Sequence, residues 1–95
     1  MNRMMKRVAI VEDDQGLREE LISILNTAPD VKYVGAYESA EEALQSLPAI
    51  KPDIVLMDIR LPKMSGIECV ARLKELIPSV QIIIVTVYEL SLIHI

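Results

Sequence analysis

The chain is 95 residues long, enough for one domain, and 52% of it is hydrophobic with no Trp and no Phe, so its core must be aliphatic. A formal net charge of −4 argues against nucleic acid as a direct partner of this segment. No apolar run approaches the roughly 18 residues of a membrane span, and the short VAIV after the basic N-terminus stops at EDD, too early for a signal-peptide core.

Apolar runs then alternate with helical periodicity. Arg3, Lys6 and Arg7 read as a solvated arm ahead of RVAIV (7–11), a buried strand. DQGLREELISILNTA (14–28) is helical, with Leu17, Leu21, Ile24 and Leu25 on one face. KYVGAY (32–37) is a short second strand. SAEEALQSL (39–47) is a second helix, with Ala40, Ala43, Leu44 and Leu47 on one face and a capping box of Ser39 and Glu42 at its start. DIVLMD (53–58) is the third strand. SGIECVARLKELI (65–77) is the third helix, with Ile67, Val70, Leu73 and Ile77 facing in and a second capping box of Ser65 and Glu68. QIIIVTVY (81–88) is the fourth strand. The single cysteine, Cys69, cannot form an internal disulfide; it reads as a small packing residue and fits a reducing cytoplasm.

Strands one, three and four are continuous apolar runs rather than alternating ones. That pattern marks strands covered on both faces, hence an α/β doubly wound parallel sheet flanked by helices. In such sheets ligands bind beyond the C-terminal strand ends. Glu12 and Asp13 follow VAIV, and Asp58 follows IVLM. If strands one and three are neighbours, these carboxylates converge and raise one another's pKa. A hard divalent cation resolves the repulsion, and oxygen-only ligation suits Mg²⁺. Asp58 is then placed to attack a phosphorus centre, with the Thr86 hydroxyl near the end of strand four serving a phosphoryl oxygen. Taken singly these residues have plainer explanations. Asp13 or Asp14 can cap the first helix, Asp58 can start a turn, and Thr86 can be an ordinary β-branched strand residue.

Three segments together carry a family resemblance. VAIVEDDQGLREEL (8–21), DIVLMDIRLPKMSGIE (53–68) and QIIIVTVYE (81–89) resemble the receiver domain of two-component response regulators. The resemblance implies a flavodoxin-like sheet in the order 2-1-3-4-5, with Asp58 as phosphoacceptor and a sensor histidine kinase or phosphotransfer protein as donor. It implies Asp13 as the direct carboxylate ligand of Mg²⁺, Glu12 assisting it, and Asp58 and the backbone carbonyl of Arg60 completing the protein ligands. Thr86 would hydrogen-bond the phosphoryl group, and the side chains of Arg60 and Tyr88 would border the site. Val87 stands where the family mostly has alanine. The implied function is a cytoplasmic signalling module controlling an output domain, transcriptional in kind, with a homodimer open to the full-length parent. It would not be a turnover enzyme.

Two alternatives stand beside that reading. A hydrolase with a strand-end aspartate would place a second Asp two residues on, where this chain has Arg60. A pseudo-receiver would be a phosphorylation-independent interaction module. The resemblance also implies that strand five, its lysine, and helices four and five are missing, leaving strand four as an apolar edge. The last six residues, LSLIHI, match the translation of a transposon end used in sequencing-library preparation. The expected division is therefore a partial receiver over 1–89 and a non-native, adapter-derived tail over 90–95, in which His94 carries no function.

Overall fold

Uninterrupted apolar runs become the centre of a sheet. In the computed structural model, which describes residues 5–58, 65–85 and 92–94, β1 (Lys6–Val11) lies between β2 (Val31–Tyr37) and β3 (Ile54–Asp58), and β4 (Gln81–Val85) follows β3. All three pairings among these strands are parallel. α1 (Gln15–Thr27) links β1 to β2, α2 (Ala40–Ile50) crosses back to β3, and α3 (Gly66–Leu76) leads to β4. The winding direction reverses between β1 and β3, which is where a ligand cleft forms in such sheets.

Period-two alternation sends the strand residues to two cores. Ala9, Val11, Val55, Met57, Ile82 and Ile84 pack under α2 and α3. Val8 and Ile10 pack against Leu25 of α1, with Ile54 and Leu56 beside them. Leu47, Leu73 and Ile82 are fully buried, and each contributes about 1.5–3 kcal/mol through removal from water. The serine half of each expected capping box forms: Ser39 Oγ accepts from Glu42 N–H at 3.2 Å and Ser65 Oγ from Glu68 N–H at 3.1 Å.

Four expectations need correction. Ile67 is 70% exposed; it lies about 100° round the helix from Gly66, and Gly66, Cys69, Val70 and Leu73 form the buried stripe instead. Ile24 is 60% exposed, because α1 covers only part of its sheet face. It lines an open apolar groove of about 450 Å³ with Leu17, Leu21, Leu25, Leu56 and Val85. The second helix does not stop at Leu47. It runs through Pro48 to Ile50, since a proline near the last turn forfeits one hydrogen bond and leaves few helical residues beyond it to disturb. Lys51 closes it in the left-handed region, φ 54°, donating to the Leu47 carbonyl at 2.7 Å. Finally, Arg7 is no solvated arm. Its Nη1 donates to the carbonyls of Ile50 at 2.6 Å and Lys51 at 3.2 Å, and its backbone N–H donates to Asp53 Oδ2 at 2.8 Å.

The edge of β4 is not bare either. A short strand, β5 (Leu92–His94), pairs with it antiparallel, matching Ile83 with His94, Ile84 with Ile93 and Val85 with Leu92. Among the described residues there is no fifth parallel strand and no fourth or fifth helix, as the resemblance implied. The expected strand positions 86–88 lie outside the described residues, as do Thr86, Val87, Tyr88 and Arg60. No helix among the described residues is long and apolar enough to cross a membrane.

Candidate functional site

Strand register brings the acids together. Val11 pairs with Met57, so Glu12 emerges from β1 beside Asp58, the last residue of β3. Asp58 in turn pairs with Val85, the residue immediately before Thr86. Glu12 and Asp58 are buried, at 1% and 4% exposure, while Asp13 reaches solvent. One carboxylate oxygen from each of Glu12, Asp13 and Asp58 lies within 4.8 Å of the others. The acid trio expected at the strand ends is thus assembled, with one member open to the outside.

Asp14 takes the plainer role. It is the N-cap of α1, its Oδ1 accepting from Leu17 N–H at 2.8 Å. That hydrogen bond separates Asp14 from the cluster and leaves Asp13 as the second acid of the pair.

Glu12 is under electrostatic load. Its pKa is pushed from 4.5 up to about 8, first by burial, then by its carboxylate neighbours Asp58 and Asp13, against a lowering hydrogen bond from the Asp14 backbone. That bond, Asp14 N–H to Oε2, is 3.1 Å long. Mutual repulsion was the expected cause, but desolvation is the larger one. The other oxygen, Oε1, is buried and has no hydrogen-bond donor among the described residues. A buried acceptor left in that condition costs free energy. An oxygen-seeking divalent cation relieves both conditions, so the residues present fit Mg²⁺.

One side chain of the turn had no signal in the sequence. Arg18 Nη1 donates to the carbonyls of Glu12 at 2.9 Å and Asp13 at 3.3 Å, and Nη2 lies 3.8 Å from Glu38 Oε2. An arginine in the first turns of a helix reads as a solvated charge. Only the folded turn shows what it holds.

The pattern of the response regulator receiver domain matches residues 8–92. The chain belongs to the response regulator receiver family. It is 44% identical over 80 residues to protein-glutamate methylesterase/protein-glutamine glutaminase 1 of Syntrophus aciditrophicus, a match covering 84% of this chain and 23% of that protein. It is 34% identical over 84 residues to the DNA-binding transcriptional activator DevR/DosR of Mycobacterium tuberculosis, covering 88% of this chain and 39% of the activator. Among solved structures, the response regulator domain of Thermotoga maritima CheB superimposes with a TM-score of 0.79 at 32% identity, covering 86% of this chain and 60% of that one. A CheY-like receiver domain protein from Methanospirillum hungatei gives 0.79 at 31% identity, covering 88% and 66%. This receiver therefore spans under a quarter of the methylesterase and about two fifths of the activator. The acid cluster sits at the C-terminal ends of β1 and β3, where the winding of the receiver sheet reverses.

Proposed function

We propose that this receiver accepts a phosphoryl group on Asp58 from a phosphohistidine of a sensor histidine kinase or phosphotransfer protein. The observation that carries the reading is the convergence of Glu12, Asp13 and Asp58, two of them buried, beside a turn that leaves Asp13 open. An Asp58 carboxylate oxygen attacks phosphorus, the P–N bond breaks, and the imidazole leaves with the electron pair and takes up a proton. Asp13 and Asp58, assisted by Glu12 and by the carbonyl of Arg60, would hold Mg²⁺, which when bound offsets the negative charge on the transferring oxygens. Thr86, the residue after the Asp58–Val85 pair, is assigned the hydrogen bond to the phosphoryl group. The chain acts as an assisted acceptor in the cytoplasm rather than as a turnover enzyme. The assembled acid trio supports this over a phosphorylation-independent interaction module.

Incubation with acetyl phosphate and Mg²⁺, followed by intact-mass measurement, tests the reading. The expected result is a gain of one phosphoryl group that chelation of Mg²⁺ and Asp58→Ala both abolish. Full labelling of Asp58→Ala would remove Asp58 from the role.

Two further parts of the proposal concern the parent protein. Its output is assigned as transcriptional, in line with the likeness to a DNA-binding activator; an esterase region following the receiver in the gene would overturn this. Residues 1–89 are assigned to the receiver and 90–95 to an appended tail. Codons for 90–95 that depart from the transposon end would overturn that division.

A further inference from the structure

The acidic turn leaves β1 and enters α1 within a few residues, and its direction decides where Asp13 points. Glu12 N–H donates to the Tyr37 carbonyl at 2.9 Å, and Arg18 N–H donates to the Asp14 carbonyl at 2.9 Å. Those bonds secure the two ends of the turn. The peptide carbonyls between them, of Glu12 and Asp13, are both taken by Arg18 Nη1. Arg18 Nη2 reaches Glu38, the residue after Tyr37, and the Arg18 side chain is only 17% exposed. The guanidinium therefore spans from the acidic turn to the end of β2, largely out of water.

A planar, permanently charged fork is suited to hold several oxygens in one geometry, and an ammonium is not. Its charge-assisted bonds are shorter and stronger than neutral ones. By charge alone, a cation bound to the turn that carries Glu12 and Asp13 should oppose a second cation. Its Nη atoms are instead engaged by backbone carbonyls and Glu38, so its influence on the cluster runs through the backbone.

We propose that Arg18 is a positioning residue for cation binding: by fixing the Glu12 and Asp13 carbonyls it holds the exposed Asp13 carboxylate toward Glu12 and Asp58. The inference rests on the reading of this cluster as a divalent-cation site. Positioning and electrostatics give opposite signs. Removal of a nearby positive charge should tighten Mg²⁺ binding, whereas loss of the brace should weaken it.

The test is calorimetric titration of the 95-residue chain with Mg²⁺, for wild type, Arg18→Ala, Arg18→Lys and Asp58→Asn, with urea unfolding of each in EDTA. The expected result is a loss of at least about tenfold in Mg²⁺ affinity for Arg18→Ala, the usual scale for residues that orient metal ligands. Arg18→Lys should also lose affinity, because it keeps the charge and lacks the fork. Unchanged or tighter binding by Arg18→Ala overturns the inference, as does a loss confined to stability in EDTA. If Arg18→Ala does not fold, Arg18→Lys decides, and wild-type affinity in that variant overturns it. A wild-type chain that binds Mg²⁺ no better than Asp58→Asn overturns the cation-site reading and this inference together. Failure at Arg18 alone leaves that reading standing.

Discussion

Glu12→Gln should stabilise this protein in the absence of divalent cations. The folded protein keeps a proton on Glu12 up to about pH 8, whereas an exposed glutamate gives it up near 4.5. Because the folded-state pKa is the higher one, the stability linked to this proton is full below 4.5, falls as pH rises, and is lost once pH passes about 8. Linkage makes the cost to wild type small at the acid end and on the order of a few kcal/mol at neutral pH and above. Glutamine keeps the volume, carries no charge, and leaves no proton to lose. The assay is urea unfolding followed by far-UV circular dichroism, in EDTA, across that pH range. The variant should match wild type most closely at the acid end and gain with pH. Added Mg²⁺ should narrow the gap by stabilising wild type more than the variant. A gap that does not change with pH, or a variant less stable than wild type at neutral pH, would refute an electrostatically loaded Glu12.

Asp13→Ala and Asp14→Ala should separate metal binding from helix capping. The first should sharply weaken Mg²⁺ in calorimetric titration, and the second should mainly lower stability, by about 1 kcal/mol for a lost N-cap; equal losses of affinity would place the acid pair one residue along. Burial raises the Cys69 thiol from 9.0 to about 11, so its stability contribution holds below 9.0 and declines as pH climbs toward about 11. Native protein at about pH 8 should therefore resist iodoacetamide while the urea-unfolded chain is labelled, and equal labelling rates would show the thiol to be accessible. Deleting residues 91–95 removes the strand paired with Ile83, Ile84 and Val85 and uncovers an apolar edge suited to intermolecular pairing. Light scattering should report larger species for the deletion than for the full chain, and identical monomers would show that the edge needs no cover.

Much of this receiver follows from local pattern. Continuous runs such as Val8–Val11 demand cover on both faces, and alternating strands and helices then admit few arrangements. Ser39 and Ser65 mark helix starts because a side-chain oxygen three residues before a free N–H is a local device. The acids Glu12, Asp13 and Asp58 stood out because each breaks an apolar run at a strand end. Their meeting required one further fact, that β1 and β3 are neighbours; the doubly wound pattern left that open, the family resemblance implied it, and the sheet order shows it.

Other features depend on which residues distant in sequence become adjacent. Arg7 latches onto Ile50, Lys51 and Asp53, more than 40 positions away, and a long flexible side chain gives no local sign of its partner. Arg18 reaches Glu38 for the same reason. Ile24 and Ile67 have the spacing of core residues, yet they face outward because helix rotation is set by what packs against it. Desolvation outweighs repulsion at Glu12 because burial is a property of the whole fold, whereas the charges that repel are written in the sequence. The pairing of Leu92–His94 with β4 lies at the same limit. A sheet edge offers backbone groups to whatever segment can reach it, and the residue types of that segment do not announce the direction in which it will run.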